Sequence, residues 1–74
     1  MARVLHLLKG DHAVEALAVI TPEAAGGDTV AVALMAGASA PALPPGVTLH
    51  RVPGDTSYDR LLEMIFEADR VVSW

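Results

Sequence analysis

The sequence predicts a small open α/β domain: about four parallel strands with helices on the sheet faces, in the order β-α-β-loop-β-α-β. Three observations carry this. Residues 3–8 (RVLHLL) and 29–35 (TVAVALM) are apolar on both alternating faces, as strands covered on both sides are. Two intervening stretches repeat apolar residues at helical spacing instead. Strands alternating with helices call for a parallel sheet with right-handed crossovers.

The first strand, 3–8, is interrupted only by His6 and is bounded by Lys9-Gly10-Asp11. In the following DHAVEALAVI, Asp11 is placed to accept from the first free amides of a helix, and Val14, Leu17 and Ala18 form an apolar stripe. Ala13, Ala16, Val19 and Ile20 widen that stripe nearly all the way round, which predicts burial on more than one side. Thr21-Pro22 suits a break or the first position of a further helical turn, and Gly26-Gly27 ends the segment.

The second strand, 29–35, is rich in β-branched residues. From 36 to 46 the prolines Pro41, Pro44 and Pro45 forbid a long helix and leave a shortened crossover, with room for one helical turn before Pro44. VTLHRV, 47–52, alternates for part of its length and reads as an edge strand with one watered face. After the turn at Pro53-Gly54-Asp55, Thr56 and Asp59 resemble a capping box. Tyr58, Leu61, Leu62 and Ile65 then form a core stripe, with Asp59, Arg60, Glu63 and Glu67 on the solvent side. RVVSW, 70–74, closes the order as a fourth strand. Met35 and Met64 fall at core positions.

Residues 1–74 make one domain, and 53% apolar with 19% charged residues is the composition of a folding chain rather than a disordered tail. A core this small supplies only roughly 3–5 kcal/mol of net stability, so small domains usually add a disulfide, a metal or a partner. There is no cysteine, and His6, His12 and His50 do not sit at zinc-motif spacing, so no disulfide, metal or cofactor is expected. A homo- or hetero-oligomeric partner is the remaining stabiliser. With a net charge of −4 and Arg3, Lys9, Arg51, Arg60 and Arg70 scattered, direct nucleic-acid binding is not expected. No apolar run approaches the roughly 20 residues that span a bilayer, and no cleavable signal pattern opens the chain, so the expectation is a cytoplasmic protein without membrane partners. The lack of Asn and Gln agrees with a thermophile's avoidance of thermolabile side chains, and equally with a GC-rich genome.

Chemistry in an open parallel sheet gathers at the carboxyl ends of the strands. That rim would hold Lys9, Gly10, Asp11 and His12 after the first strand, Ala36 to Ser39 after the second, and Gly54 and Asp55 after the third. Gly10 leading into a helix, with Lys9 beside it, could hold a small anion, although Asp11 competes for the same amides. Ser39, His12 and Asp55 could be combined as nucleophile, base and orienter, but nothing in their spacing demands it, and no catalytic residue is assigned. His6 reads as a core histidine bonded to backbone, and His50 as exposed. Asp59, Glu63 and Glu67 read as a solvated face. Alternation puts Trp74 on the face of Val72, either folded over Leu5 or Leu61 as a lid or serving as an intersubunit anchor.

LHLLKG, GDTVAVALMAGA and EADRVVSW together resemble the DsrE/DsrF/DsrH superfamily of small sulfur-relay proteins, its DsrH/TusB branch in particular. Leu5, His6, Lys9, Gly27, Asp28 and Trp74 are the matching positions, and the resemblance covers about two thirds of the chain. The family's middle helix is replaced here by the proline loop. The resemblance implies a subunit of a hetero-oligomer that passes sulfur toward tRNA 2-thiouridine synthesis or sulfur oxidation. Without a thiol the chain cannot carry sulfane sulfur, so the implied role is a non-catalytic scaffold or acceptor dock among other DsrE-like subunits. The alternative is a stand-alone homo-oligomeric module that binds a small anion at the rim around Lys9 and His12. A third, an enzyme using Ser39 or His12, has the least to support it.

Overall fold

A computed structural model describes residues 2–74. It contains β1 (Arg3–Leu8), α1 (Ala13–Ala25), β2 (Thr29–Met35), β3 (Thr48–Val52), α2 (Tyr58–Glu67) and β4 (Arg70–Ser73). The four strands form one sheet in the order β3-β2-β1-β4, and every pairing is parallel. This is the predicted α/β class.

The two most apolar strands occupy the centre, where both faces are covered. On one face Leu8, Val30, Val32 and Leu34 pack against Ala16 and Ile20 of α1, with Leu43, Leu49 and Trp74 at the margin. On the other Leu5, Ala33 and Val52 meet Leu61 and Met64 of α2. Fully burying a Leu, Ile or Val side chain contributes about 1.5–3 kcal/mol, so these two clusters carry most of the fold's stabilisation. The connectivity dictates which element goes where. The chain steps from β1 to β2 to β3 in one direction, so right-handed crossovers put α1 and the proline loop on the same face. The return from β3 to β4 runs the other way and puts α2 on the opposite face alone.

Several local expectations are corrected. Asp11 does not cap α1: the cap position is His12, which makes no side-chain cap hydrogen bond, and Asp11 is exposed. The apolar stripe of α1 is Ala16, Ile20 and Ala24, whereas Val14, Ala18 and Val19 are exposed, because the helix lies on a sheet with one side only. Of the two readings of Thr21-Pro22 the further helical turn is the one found, since α1 runs on to Ala25 with the proline ring on its exposed side. The proline loop forms no helical turn. At the start of α2 the cap is Ser57, whose Oγ accepts from the Arg60 amide at 3.1 Å. Thr56 is instead buried, donating to Asp55 at 3.1 Å. On α2 the inward residues are Leu61, Met64 and Ile65, while Tyr58 and Leu62 are more than half exposed.

Candidate functional site

His6 has no exposed surface and sits on the α1 face of β1, alternating with Val4 and Leu8. Its partners are side chains, not the expected backbone. The indole N–H of Trp74 lies 2.9 Å from Nδ1, and Oε1 of Glu23 lies 2.6 Å from Nε2. An indole nitrogen only donates, so Nδ1 must be the acceptor and carries no proton. The proton is then on Nε2 and points at the Glu23 carboxylate. In this tautomer the ring is neutral, and the charge of Glu23 is met by Arg70, whose Nη2 lies 2.6 Å from Oε2. The rings of His6 and Trp74 are nearly parallel, at 18°, with centroids 6.1 Å apart. At that separation they lie edge to edge, as an in-plane N–H···N bond requires, rather than face to face.

Four side chains from three elements thus form one chain of contacts: Trp74 and Arg70 at β4, His6 on β1, Glu23 on α1. The local sequence explains each placement. Residues 70, 72 and 74 alternate onto the α1 face, because Val72 registers with His6 across the β1–β4 pairing. The backbone amide of Trp74 also donates to the Leu7 carbonyl at 2.9 Å, continuing the ladder one residue beyond β4. Glu23 comes at the last turn of α1, level with the start of the sheet, where Asp28 Oδ1 also accepts from the amide of Ala2 at 3.1 Å. Gly27, at φ +94°, makes that turn possible.

Strand order reverses between β1 and β4, and such a switch point is where open α/β sheets form ligand crevices. Lys9, Gly10 and Asp11 follow β1 there, and Trp74 follows β4. Of the sequence-predicted rim residues, His12 is exposed and pairs through Nδ1 with Glu15 at 2.8 Å, a hydrogen bond that holds the Glu15 carboxyl below its ordinary pKa. Ser39 is exposed beyond β2. Asp55 accepts from the Arg51 amide at 2.8 Å and from Thr56, so among the described residues no hydrogen bond joins Ser39, His12 and Asp55 into a triad. His50 is half-buried instead of exposed, with Nδ1 3.3 Å from the Thr56 hydroxyl.

Trp74 does not lie over Leu5 or Leu61. Those two belong to the α2 face, and alternation sends Trp74 to the α1 face, where it covers His6 and the edge of the core. Two open hollows accompany the sheet. One of about 220 Å³ lies at the carboxyl rim between β2 and β3, lined by Ala36, Gly37, Arg51 and Pro53, away from Lys9 and His12. The other, about 210 Å³, lies between α2 and the start of β2, lined by Thr29, Ala31, His50, Arg60 and Glu67. Among the described residues no group of three or more His, Asp or Glu gathers to hold a metal, and no helix is long and apolar enough to cross a membrane.

Sequence reasoning missed Glu23 and Arg70. A single acid in the apolar helix 13–25 after Glu15, and a basic residue opening a strand, were the available signals, but pairing them with His6 required knowledge of the strand order. Comparison with protein-family models, curated proteins and solved structures gives no match.

Proposed function

We propose that the chain is a non-catalytic subunit of a DsrE/TusB-like sulfur-transfer assembly, acting as a scaffold or acceptor dock. One observation carries the reading: apart from the exposed Lys9, the residues behind the resemblance are occupied in holding the fold. His6 has both nitrogens engaged, Trp74 is its donor, and Asp28 ties down the amide of Ala2. His6 is besides fully buried, so a substrate has no path to either of its nitrogens. With no thiol anywhere in the sequence, what the chain offers a sulfur-relay partner is shape and surface.

Mixing the purified chain with a cysteine-bearing DsrE-like subunit should give a co-eluting complex, and a persulfide donor should leave the mass of this chain unchanged. Persistent separate elution, or a stable adduct of one sulfur on this chain, would overturn the reading. A second reading, a homo-oligomeric module for a small anion, is favoured by the uncapped start of α1 beside Lys9 and Gly10. Phosphate titration that shifts the Gly10 and Ala13 amide resonances would support it.

A further inference from the structure

We propose that two copies of this chain join through their β4 edges, across a two-fold axis normal to the sheet, with the Tyr58, Leu62 and Phe66 flank of α2 closing over the seam. Because α2 is alone on its face, it leaves sheet uncovered. Four strands spaced about 4.8 Å apart are wider than one helix of about 10–12 Å. The Arg60 and Glu67 flank of α2 faces the β1–β2–β3 side of the sheet, where it lines the hollow with Leu5, Ala31 and His50. The opposite flank therefore overhangs β4.

That flank is apolar and unpartnered. Tyr58, Leu62 and Phe66, spaced i, i+4 and i+8, are 55%, 54% and 85% exposed, and Val71, in register with Leu5 on the same face, is 38% exposed. Leu62 and Phe66 at these exposures are not what a helix facing only water would carry.

The two sheet edges differ in the same sense. β3 is preceded by Pro45 and followed directly by Pro53, and carries Thr48, His50 and Arg51, devices that keep an edge from pairing. In β4 there is no proline or lysine, its centre is Val71-Val72, and its one charged residue, Arg70, is turned onto the α1 face toward Glu23.

The matching occupant is a second copy, because the seam asks for an open edge with an apolar helix flank beside it and this chain supplies both. A two-fold axis normal to the sheet makes the β4 strands antiparallel and keeps both α2 helices on one face. If each helix stays over its own β1, the two are three strand spacings apart, about 14 Å. Leucine, tyrosine and phenylalanine side chains reaching from both helices over a Val71 floor can fill that gap, whereas charged ones would not. Whole aromatic side chains bury on the order of 150–250 Å², so the four exposed residues offer on the order of 400 Å² per subunit. Adding strand backbone and rim, two such surfaces reach the low end of the roughly 1,200–2,000 Å² of stable interfaces.

The inference stands apart from the sulfur-relay reading, and each can fail alone, since this one is tested on the purified chain without other subunits. Sedimentation equilibrium at micromolar concentration should give the mass of two chains. Phe66→Glu should weaken association about tenfold or more, with an unchanged far-ultraviolet circular dichroism spectrum because the residue is already exposed. Val14→Glu, on the far face of α1, should leave association as it was. Val71→Cys, which gives each chain its one thiol, should cross-link the pair on oxidation. A monomer throughout, or an assembly that Val14→Glu weakens as much as Phe66→Glu, would overturn the proposal.

Discussion

The indole of Trp74 donates a 2.9 Å hydrogen bond to Nδ1 of His6, 68 positions earlier in the chain. This contact sets the tautomer of a fully buried imidazole, and through it the direction of the bond to Glu23. It also sews the edge strand β4 to the central strand β1 from above, in addition to the backbone ladder.

Replacing His6 should be the most damaging single change in this network. In His6→Ala the Trp74 N–H and one oxygen of Glu23 lose their partner, and the vacated volume lies between β1 and α1. Each unsatisfied buried group costs about 1–3 kcal/mol, and truncation of a large core side chain adds a cavity cost of comparable size. A loss of roughly 3–5 kcal/mol is as large as the roughly 3–5 kcal/mol of net stability that a core this small supplies, so His6→Ala should be largely unfolded without denaturant. Urea unfolding followed by circular dichroism measures this, and a loss below about 1 kcal/mol would mean that the network is not buried in solution.

Trp74→Phe separates the hydrogen bond from the cover. The ring still shields the core edge, but Nδ1 of His6 faces no donor, so a loss of about 1–3 kcal/mol is expected. Deleting Trp74 removes both and should cost more. Since the indole covers its own subunit, the drop in melting temperature on deletion should be the same at low and high protein concentration. A drop seen only at low concentration would instead make Trp74 an intersubunit anchor.

The fold class was legible because β1 and β2 are apolar on both faces and announce a central position without any knowledge of pairing. The face of Trp74 was legible too, since alternation from Val72 needs only the strand. What lies opposite was not, because Leu5 and His6 are neighbours in sequence and lie on opposite faces of the sheet. The stripe on α1 failed for a related reason. With alanine and valine at nearly every position, periodicity does not choose among them, and the choice of Ala16 and Ile20 over Val14 and Val19 is made by the sheet. On α2, Tyr58 and Leu62 have helical spacing like Leu61 and Ile65, and only the packing shows that they flank the core instead of filling it.

Pro22 gives a stabilising prediction. Inside α1 it has no N–H to donate to the Ala18 carbonyl, and its ring crowds that carbonyl. Proline is about 3 kcal/mol less favourable than alanine within a helix, offset in part by the smaller entropy of its unfolded chain. Because Pro22 is exposed, Pro22→Ala removes no core contact, and a gain of about 1–2 kcal/mol in denaturant unfolding is expected. Destabilisation by this change would show that the ring has a packing role that its exposure does not suggest.

At the start of α1 the sequence places Glu15 within reach of His12, and their contact is 2.8 Å with both side chains more than half exposed. The hydrogen bond from His12 is the main cause of the lowered pKa of Glu15, with a smaller contribution from the residue's own backbone amide. A carboxylate in the first turn is also favoured by the helix dipole. Since the folded-state value is depressed below the unfolded one, the contact stabilises the fold above the ordinary carboxylate range and ceases to do so as pH falls through the depressed value. At an exposed site salt should weaken it. In an NMR titration of the Glu15 side chain, His12→Ala should move the midpoint up toward the ordinary carboxylate value without fully reaching it, because the backbone amide remains. The same midpoint in wild type and variant would show that His12 and Glu15 do not pair in solution.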